Sequence, residues 1–302
     1  MNSIYSKADQ PDISSCTAKD LHDYIKSSRT PAFVKELLTL LSPSASLTST
    51  PSAPSELTIP TSFGNLLHTL SQIQCITPRG RFDVSIYEKG IILKNSKGDH
   101  CTVPPEIVSA SVLFAKPDLY TRNIDDVKSK MLLLVLESEG VKFKKGALHY
   151  LCFQAEMKDM VSLPAPNETT KSESTSVPAP FPGPAPAVYF PAICTSVSTT
   201  PIVPLGFLSS KGLPFVQSYK GTQEGVLYPM TSGILFFKPP HYIPRSTLVS
   251  IAAGRGGSGG NATRFVDMVL ALDGDQTLEF TNIDREELAP LNHYIKDVLT
   301  PA

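Results

Sequence analysis

The last third of the chain, from about residue 218 to residue 296, alternates short strand-forming segments with turns and then ends on one amphipathic helix. Three apolar runs are typical of strands, at residues 224–230, 234–238 and 246–252. Two more alternating runs flank Asp273-Gly274, a dipeptide typical of tight hairpins. The apolar spacing then takes the helical period at Leu288, Leu291, Ile295 and Val298. This order predicts a small antiparallel barrel whose open end is closed by the helix.

The same region resembles a known family in its motifs. Three of them are Lys238-Pro239-Pro240 after a strand pair, Arg264-Phe265 at a strand start, and residues 283–287, Ile-Asp-Arg-Glu-Glu, at a helix start. They are similar to the second pleckstrin-homology (PH) module of the double-PH histone chaperones, the family of the Rttp-type chaperone and of the middle domain of the FACT small subunit. The resemblance implies a mainly β fold with terminal helices and tandem PH-like barrels.

Composition sets further limits on the class of protein. The chain has 302 residues, 41% of them hydrophobic, which is enough for two domains with their own cores. Its net charge of −1 excludes a uniformly basic DNA-binding protein. The five cysteines are scattered without a CxxC pair, which favours reduced thiols over a metal site or a disulfide framework. No secretory signal is apparent and the longest apolar run, Met131–Leu136, is too short to span a bilayer, so no membrane role is expected.

Shifts in composition along the chain predict five segments. They are a helical N-terminal segment (1–42), a Ser/Pro linker (43–61), a first PH-like domain (62–163), a Pro-rich linker (164–200) and a second PH-like domain (201–302). In the first domain Phe82, Val84 and Ile86 alternate with polar neighbours as in a half-buried strand. The phrase "IVSASVLFAKPDLYTRN" in that domain is similar to the family's first PH module.

Two short helices are predicted in the N-terminal segment, at residues 18–27 and 32–41. Short helices of this kind cannot bury an apolar stripe alone, and Phe33, Leu37 and Leu41 form such a stripe. Two interpretations remain open, packing on the next domain and self-association. The resemblance supports a homodimer through these helices.

The Pro-rich stretch "VPAPFPGPAPAVYFPA" is expected to form neither helix nor sheet, because proline lacks a backbone donor and restricts φ. It is interpreted as a stiff polyproline spacer, with a ligand for SH3-type domains as the alternative.

No catalytic constellation is present in the sequence. The six histidines are isolated from carboxylates and cysteines at ligand spacing, and no nucleophile elbow, zinc-protease or Walker motif occurs. The chain is therefore predicted not to be an enzyme and to require no cofactor or metal.

The glycine-rich loop at residues 254–260 is the first candidate binding element. Five glycines in seven residues are typical of a flexible connection between strands, and a strand rather than a helix follows, which argues against a phosphate-binding loop. The resemblance implies that this loop lies at the histone-binding surface. The residues assigned to it are Arg255, Gly256, Gly257 and Ser258.

Arg285 is the second candidate for histone contact. It lies at a helix start, where a cation is slightly unfavourable, and Asp284 with Glu287 could offset this as a capping box. A local ion pair and a direct histone contact are both open for Arg285, and the resemblance places this position beside the histone site.

Basic residues before and after one strand of the first domain are the candidate DNA-binding site. Arg79 and Arg81 lie in a turn and at the following strand start, and Lys89 follows that strand. A solvated surface is the plain interpretation, and contact with phosphate is the functional one, which the resemblance supports. Residues 142–145, with three lysines, could extend the patch.

The sequence therefore predicts a non-enzymatic, nuclear histone chaperone that binds core histones and, weakly, double-stranded DNA in nucleosome assembly or chromatin remodelling. The alternative is a PH adaptor that binds phosphoinositides or another protein.

Overall fold

The computed structural model describes residues 60–117, 127–137, 139–163, 182–254 and 264–299. The predicted N-terminal helices lie outside these residues, so the homodimer stays a prediction. The described chain is mainly β, as predicted, and is dominated by two seven-stranded antiparallel sheets.

The first sheet belongs to the first PH-like barrel. Its seven strands are β1 (Leu66–Thr77), β2 (Gly80–Tyr87), β3 (Gly90–Asn95), β4 (His100–Val103), β5 (Val108–Ala115), β6 (Ser129–Leu136) and β9 (Tyr150–Glu156). A separate small hairpin between β6 and β9 consists of β7 (Val141–Phe143) and β8 (Gly146–Leu148). A two-residue ladder of β10 (Met160–Val161) with β11 (Gly183–Pro184) and the helix α1 (Ala185–Ser196) follow. Short 3-10 turns occur at Thr61–Phe63 and Pro105–Ile107.

The second sheet forms the second barrel. Its strands are β12 (Val216–Lys220), β13 (Gln223–Met230), β14 (Gly233–Phe237), β15 (His241–Pro244), β16 (Leu248–Ala253), β17 (Phe265–Leu272) and β18 (Gln276–Asp284). The helix α2 (Leu288–Leu299) ends this barrel, and 3-10 turns occur at Arg245–Thr247 and Arg285–Glu287.

Both sheets have the same strand order. The first runs β4-β3-β2-β1-β9-β6-β5 and the second β15-β14-β13-β12-β18-β17-β16, so each begins with a four-strand meander whose first strand pairs with the last strand. Each curls as a half-barrel around its own core, and a helix packs on each barrel. The prediction of tandem PH-like barrels is confirmed.

The terminal helix of the second barrel is where the spacing predicts it. Leu291 is fully buried, and Tyr294 is buried with its hydroxyl donating to the carbonyl oxygens of Met230 and Gly233 at 3.0 and 3.3 Å. Phe207, from the segment between the barrels, packs edge-on against Tyr294 with ring centroids 6.0 Å apart. The helix thus connects the segment before β12 to the hairpin of β13 and β14.

The Pro-rich stretch departs from its prediction, because its second half is the helix α1. Pro186 lies in the first turn, where the missing N–H costs nothing, and Pro191 lies inside the helix. Burial offsets the cost of Pro191, since Phe190, Ile193 and Cys194 all enter the core of the first barrel. The expectation that this stretch forms neither helix nor sheet is therefore wrong from residue 183 onward.

The position of α1 also changes the meaning of the predicted linker at residues 164–200. Val161 pairs with Gly183 and Met160 with Pro184, so both sides of residues 164–181 are held in one short ladder. Those residues lie outside the described part of the chain. In sequence they lie between β10 and β11, and their role as a linker stays a prediction.

The end of α1 is attached to the barrel by one buried hydroxyl. Ser196 donates to the carbonyl oxygens of Tyr87 and Gly90 at 2.6 and 2.7 Å, and its oxygen accepts from the Gly90 N–H at 3.1 Å. The hydroxyl therefore holds the helix against the turn between β2 and β3.

The two barrels share a third hydrophobic core between them. Twelve buried residues contribute to it: Val112, Phe114, Met131, Leu133, Cys152, Phe215, Val226, Tyr228, Met230, Leu235, Phe237 and Tyr242. At its centre the Tyr228 ring lies 5.2 Å from that of Phe114, and its hydroxyl donates to the carbonyl oxygen of Ala115 at 2.8 Å. Ile202 forms a parallel bridge to Val112. The barrels are thus packed directly on one another.

Candidate functional site

The flanks of the glycine-rich loop and the turn that carries Arg285 lie at one end of the second barrel. Arg255, Gly256, Gly257 and Ser258 lie outside the described residues, but both flanks of their loop are described. On one side, a Cβ at Gly254 would lie 3.3 Å from the Leu288 side chain. On the other, the carbonyl oxygen of Arg264 accepts from the Arg285 N–H at 2.9 Å. One flank of the loop therefore lies against the first residue of α2, and the other bonds to the turn that precedes this helix.

Arg285 is exposed on the 3-10 turn that precedes α2. Asp284 caps this turn, with Oδ1 accepting from the Glu286 N–H at 3.4 Å. Glu287 does not complete the predicted capping box. Its carboxylate is buried and accepts from the backbone N–H and the hydroxyl of Ser210 at 2.8 and 2.5 Å. Glu287 instead ties the segment between the barrels to the helix start.

A cavity of about 330 Å³ opens beside this site, between β12 and β18. Lys211 and Arg264 line it together with Asp284 and Glu287, so its charges are mixed. Phe265 contributes an apolar wall that is 42% exposed. The end of the second barrel thus combines exposed cations, carboxylates and an accessible aromatic ring within one surface.

The predicted DNA-binding residues fall at two ends of the first barrel. Arg79 is exposed in the turn between β1 and β2, and Arg81 is exposed at the start of β2, with Nη1 donating to the Gln72 carbonyl oxygen at 3.5 Å. Lys89 follows the other end of that strand. At about 3.3 Å per residue, the eight residues of β2 separate the two groups by about 25 Å. The structure does not bring Lys89 together with the arginines.

The lysines at residues 142–145 lie on the hairpin of β7 and β8, which packs beside the turn after β3. Lys144 Nζ lies 3.2 Å from Asp99 Oδ2, and Phe143 packs on Phe82 with ring centroids 5.9 Å apart. Hydrogen bonds from Asn95 and Lys144 lower the pKa of the Asp99 carboxyl. The hairpin of β7 and β8 therefore brings Lys144 to the turn after β3, and whether these lysines extend the arginine patch stays a prediction.

Sequence reasoning missed a polar cluster at the junction of the barrels. Lys220 Nζ and His241 Nδ1 are hydrogen-bonded partners, and the His241 ring lies 6.3 Å from that of Tyr150 in the first barrel. Burial, with a smaller contribution from the Lys220 charge, lowers the pKa of His241 to about 4. His241 is therefore neutral near pH 7 and able to accept the bond from Lys220. No sequence signal links three residues that are this far apart in the chain.

Two negative findings apply to the described ranges. Among those residues, no three or more histidine, cysteine or acidic side chains are grouped so that they could hold a metal ion. In the same residues no helix is long and apolar enough to cross a membrane.

The barrel that carries the loop and Arg285 coincides with a known family region. Residues 214–300 match the family model described as the middle domain of Rttp106-like histone chaperones. This range begins just before β12 and includes both flanks of the loop and the helix start.

The wider chain is similar to named subunits of the FACT complex. It is 26% identical over 242 residues to FACT complex subunit SSRP1 of Dictyostelium discoideum, covering 78% of this chain and 44% of that protein. It is 29% identical over 238 residues to FACT complex subunit ssrp1-B of Caenorhabditis elegans, covering 75% and 32%. For FACT complex subunit POB3 of Yarrowia lipolytica the identity is 25%, with 77% and 42% covered.

The chain spans less than half the length of these three relatives. The matches nevertheless cover most of the chain, and the strand order of both barrels agrees with a double-PH architecture. The predicted likeness is thus confirmed: the chain is similar to FACT complex subunits over most of its length, and residues 214–300 match the Rttp106-like middle domain.

Proposed function

We propose that the chain is a non-enzymatic histone chaperone that binds core histones through the second barrel and acts in nucleosome assembly or chromatin remodelling in the nucleus. The observation that carries the proposal is the coincidence of the Rttp106-like region with the barrel end where the loop flanks meet Arg285. The names of the FACT relatives support a chromatin role.

The chemistry of this barrel end fits a folded, charged partner. Arg285 is exposed, and the exposed Glu286 beside it can face basic histone side chains. Phe265 adds accessible apolar area next to these charges. Interfaces that combine an accessible aromatic residue with a polar rim are typical of specific protein contacts.

Arg285→Ala is expected to weaken core-histone binding about tenfold to a hundredfold, because a charge-assisted contact in a partly desolvated interface contributes about 1.5–3 kcal/mol. Replacing residues 255–260 by Asn-Gly should weaken binding in the same direction. Binding is measured by titrating labelled core histones with the purified chain over a salt series.

Lys296→Ala is the matched control for Arg285. It removes an exposed cation from α2, 11 residues after Arg285 and so about 16 Å further along at 1.5 Å per residue. Wild-type affinity in the Arg285 and loop variants, with unchanged thermal melting, would place the histone site elsewhere.

We also propose weak binding of duplex DNA at the arginine end of the first barrel, and Lys89 remains a proposed contact at its other end. Arg79→Ala with Arg81→Ala should reduce the slope of log affinity against log salt by about two, since each lost phosphate contact removes about 0.9. Lys89→Ala serves as the comparison and should reduce the slope by at most about 0.9, the contribution of one phosphate contact. An unchanged slope in the double variant, with binding to phosphoinositide vesicles, would favour the lipid-binding adaptor.

A further inference from the structure

The first barrel contains a cleft that shares only Arg81 with the contacts proposed above. It lies where the sheet opens between its first and last paired strands, because β1 pairs with β9 only from Gln74 to Thr77. Before that point β1 bulges, and Gln72 takes a positive φ of 55°. The cleft has a volume of about 520 Å³, and Ala185 and Tyr189 of α1 lie along one side of it.

The second barrel opens at the equivalent place. There β12 pairs with β18 only at Tyr219 and Thr281, and the cavity beside the proposed histone site lies at this opening. An opening between the first and last strands is therefore a shared feature of both barrels, while the residues that line it differ. In the first barrel the lining is unusually rich in hydrogen-bond acceptors.

Three glutamines provide the first set of acceptors. The side-chain amide of Gln72 donates to Asp83 Oδ1 at 3.1 Å, that of Gln74 to the Cys75 carbonyl oxygen at 3.3 Å, and that of Gln154 to Glu156 Oε1 at 2.9 Å. Among the described residues no hydrogen bond is made to the side-chain oxygens of these three amides. Each amide thus uses one of its two N–H donors on the protein and offers its oxygen as an acceptor.

Two carboxylates provide the second set. Glu156 and Asp159 both line the cleft, and Glu156 is half-buried there. Tyr189 lines the same cleft as Asp159, and burial and, after it, the negative charge of Asp159 raise the pKa of the Tyr189 hydroxyl. Arg81 at the rim is the single cation among the lining residues, against two carboxylates.

We propose that this cleft binds the lysine or arginine side chain of an extended segment of a partner protein. A cation with several N–H donors complements a lining of carboxylates and amide oxygens. The Tyr189 ring beside Asp159 can add a cation–π contact, and the volume accommodates a side chain with its neighbouring backbone. A phosphate group is disfavoured there by the net negative charge. The site lies in the first barrel and does not depend on the histone surface of the second.

The test uses the full chain and a fluorescent peptide of alternating lysine and serine, with a glutamate–serine peptide as the charge-reversed probe. Glu156→Gln with Asp159→Asn should weaken binding of the lysine peptide about tenfold or more in fluorescence anisotropy. Gln154→Leu, which removes an acceptor without changing the charge, should weaken it several-fold. The glutamate peptide should bind wild-type protein less tightly than the lysine peptide.

Glu106→Gln with Glu137→Gln is the matched control. It removes the same charge from exposed positions of the same barrel. Glu137 follows the last residue of β6, whereas Glu156 pairs with Ser129 at the first residue of that strand, so the two glutamates lie at opposite ends of β6. Wild-type affinity in this control, with loss in the cleft variants at unchanged thermal melting, supports the proposal. Equal loss in the control, equal affinity in the cleft variants, or no binding of the lysine peptide to wild-type protein would overturn it. Core-histone binding by the Arg285 variant is measured in a separate titration. Failure of the cleft proposal can therefore be told apart from failure of the proposed histone site.

Discussion

Phe114→Ala is expected to lower the free energy of unfolding by about 3–5 kcal/mol, the usual cost of truncating a buried aromatic side chain. Phe114 is 2% exposed and lies in the core between the barrels. Its ring centroid is 5.2 Å from that of Tyr228 and 5.3 Å from that of Phe237, both of the second barrel. Since Phe114 belongs to the first barrel, the loss should also weaken the coupling of the two barrels.

The measurement is urea unfolding followed by circular dichroism. The wild-type chain should unfold in one transition, and Phe114→Ala should shift its midpoint and separate it into two. Leu205→Ala is the control, because Leu205 is 64% exposed and its loss should change stability by at most about 0.5 kcal/mol. An unchanged midpoint in Phe114→Ala would show that the barrels do not depend on a common core.

Phe190→Ala is expected to destabilise the first barrel by a similar amount, about 3–5 kcal/mol. Phe190 is 2% exposed in α1 and packs into the core of that barrel together with Ile193. Replacing residues 164–181 by a short Gly-Ser connection should in contrast change stability by only about 1 kcal/mol, because loop closure depends weakly on length. This contrast separates a helix of the barrel from a spacer between domains.

Thermal melting and urea unfolding of both variants provide the test. If residues 164–200 were a spacer throughout, Phe190→Ala would behave as a surface substitution, within about 0.5 kcal/mol of wild type. Ala187→Gly is a useful companion variant, since it weakens the exposed side of the same helix by about 1 kcal/mol without opening a cavity. A loss in the shortened variant as large as that of Phe190→Ala would contradict the assignment of the loop.

The alternation of apolar and polar residues along β2 correctly predicted which of its side chains are buried. Phe82, Val84 and Ile86 are buried in β2 as their spacing predicts, because successive side chains of a strand point to opposite faces. Tyr87 breaks the pattern, since it is buried against Phe63 with ring centroids 5.9 Å apart. Phe63 lies in a 3-10 turn before β1, and nothing in the spacing of β2 indicates that partner.

The candidate sites also combine residues that the sequence indicated with contacts that only the folded chain makes. The glycine-rich loop and Arg285 were predicted from the sequence and its family resemblance, but only the positions of Gly254 beside Leu288 and of Arg264 beside Arg285 put the flanks of the loop next to Arg285. The acceptor-rich cleft of the first barrel had no motif, because its residues come from β1, β9 and α1.

By itself the sequence determined the alternation of β2, the hairpin at Asp273-Gly274 and the position of α2, because these depend on neighbouring residues and on the geometry of one element. Only the tertiary structure decided that α1 is a helix, that Glu287 accepts from Ser210 rather than capping its own turn, and that Tyr228 joins two barrels. Each of these outcomes depends on burial or hydrogen bonding between residues far apart in the chain. Such contacts can outweigh a local preference of about 1–3 kcal/mol, including that of proline in a helix.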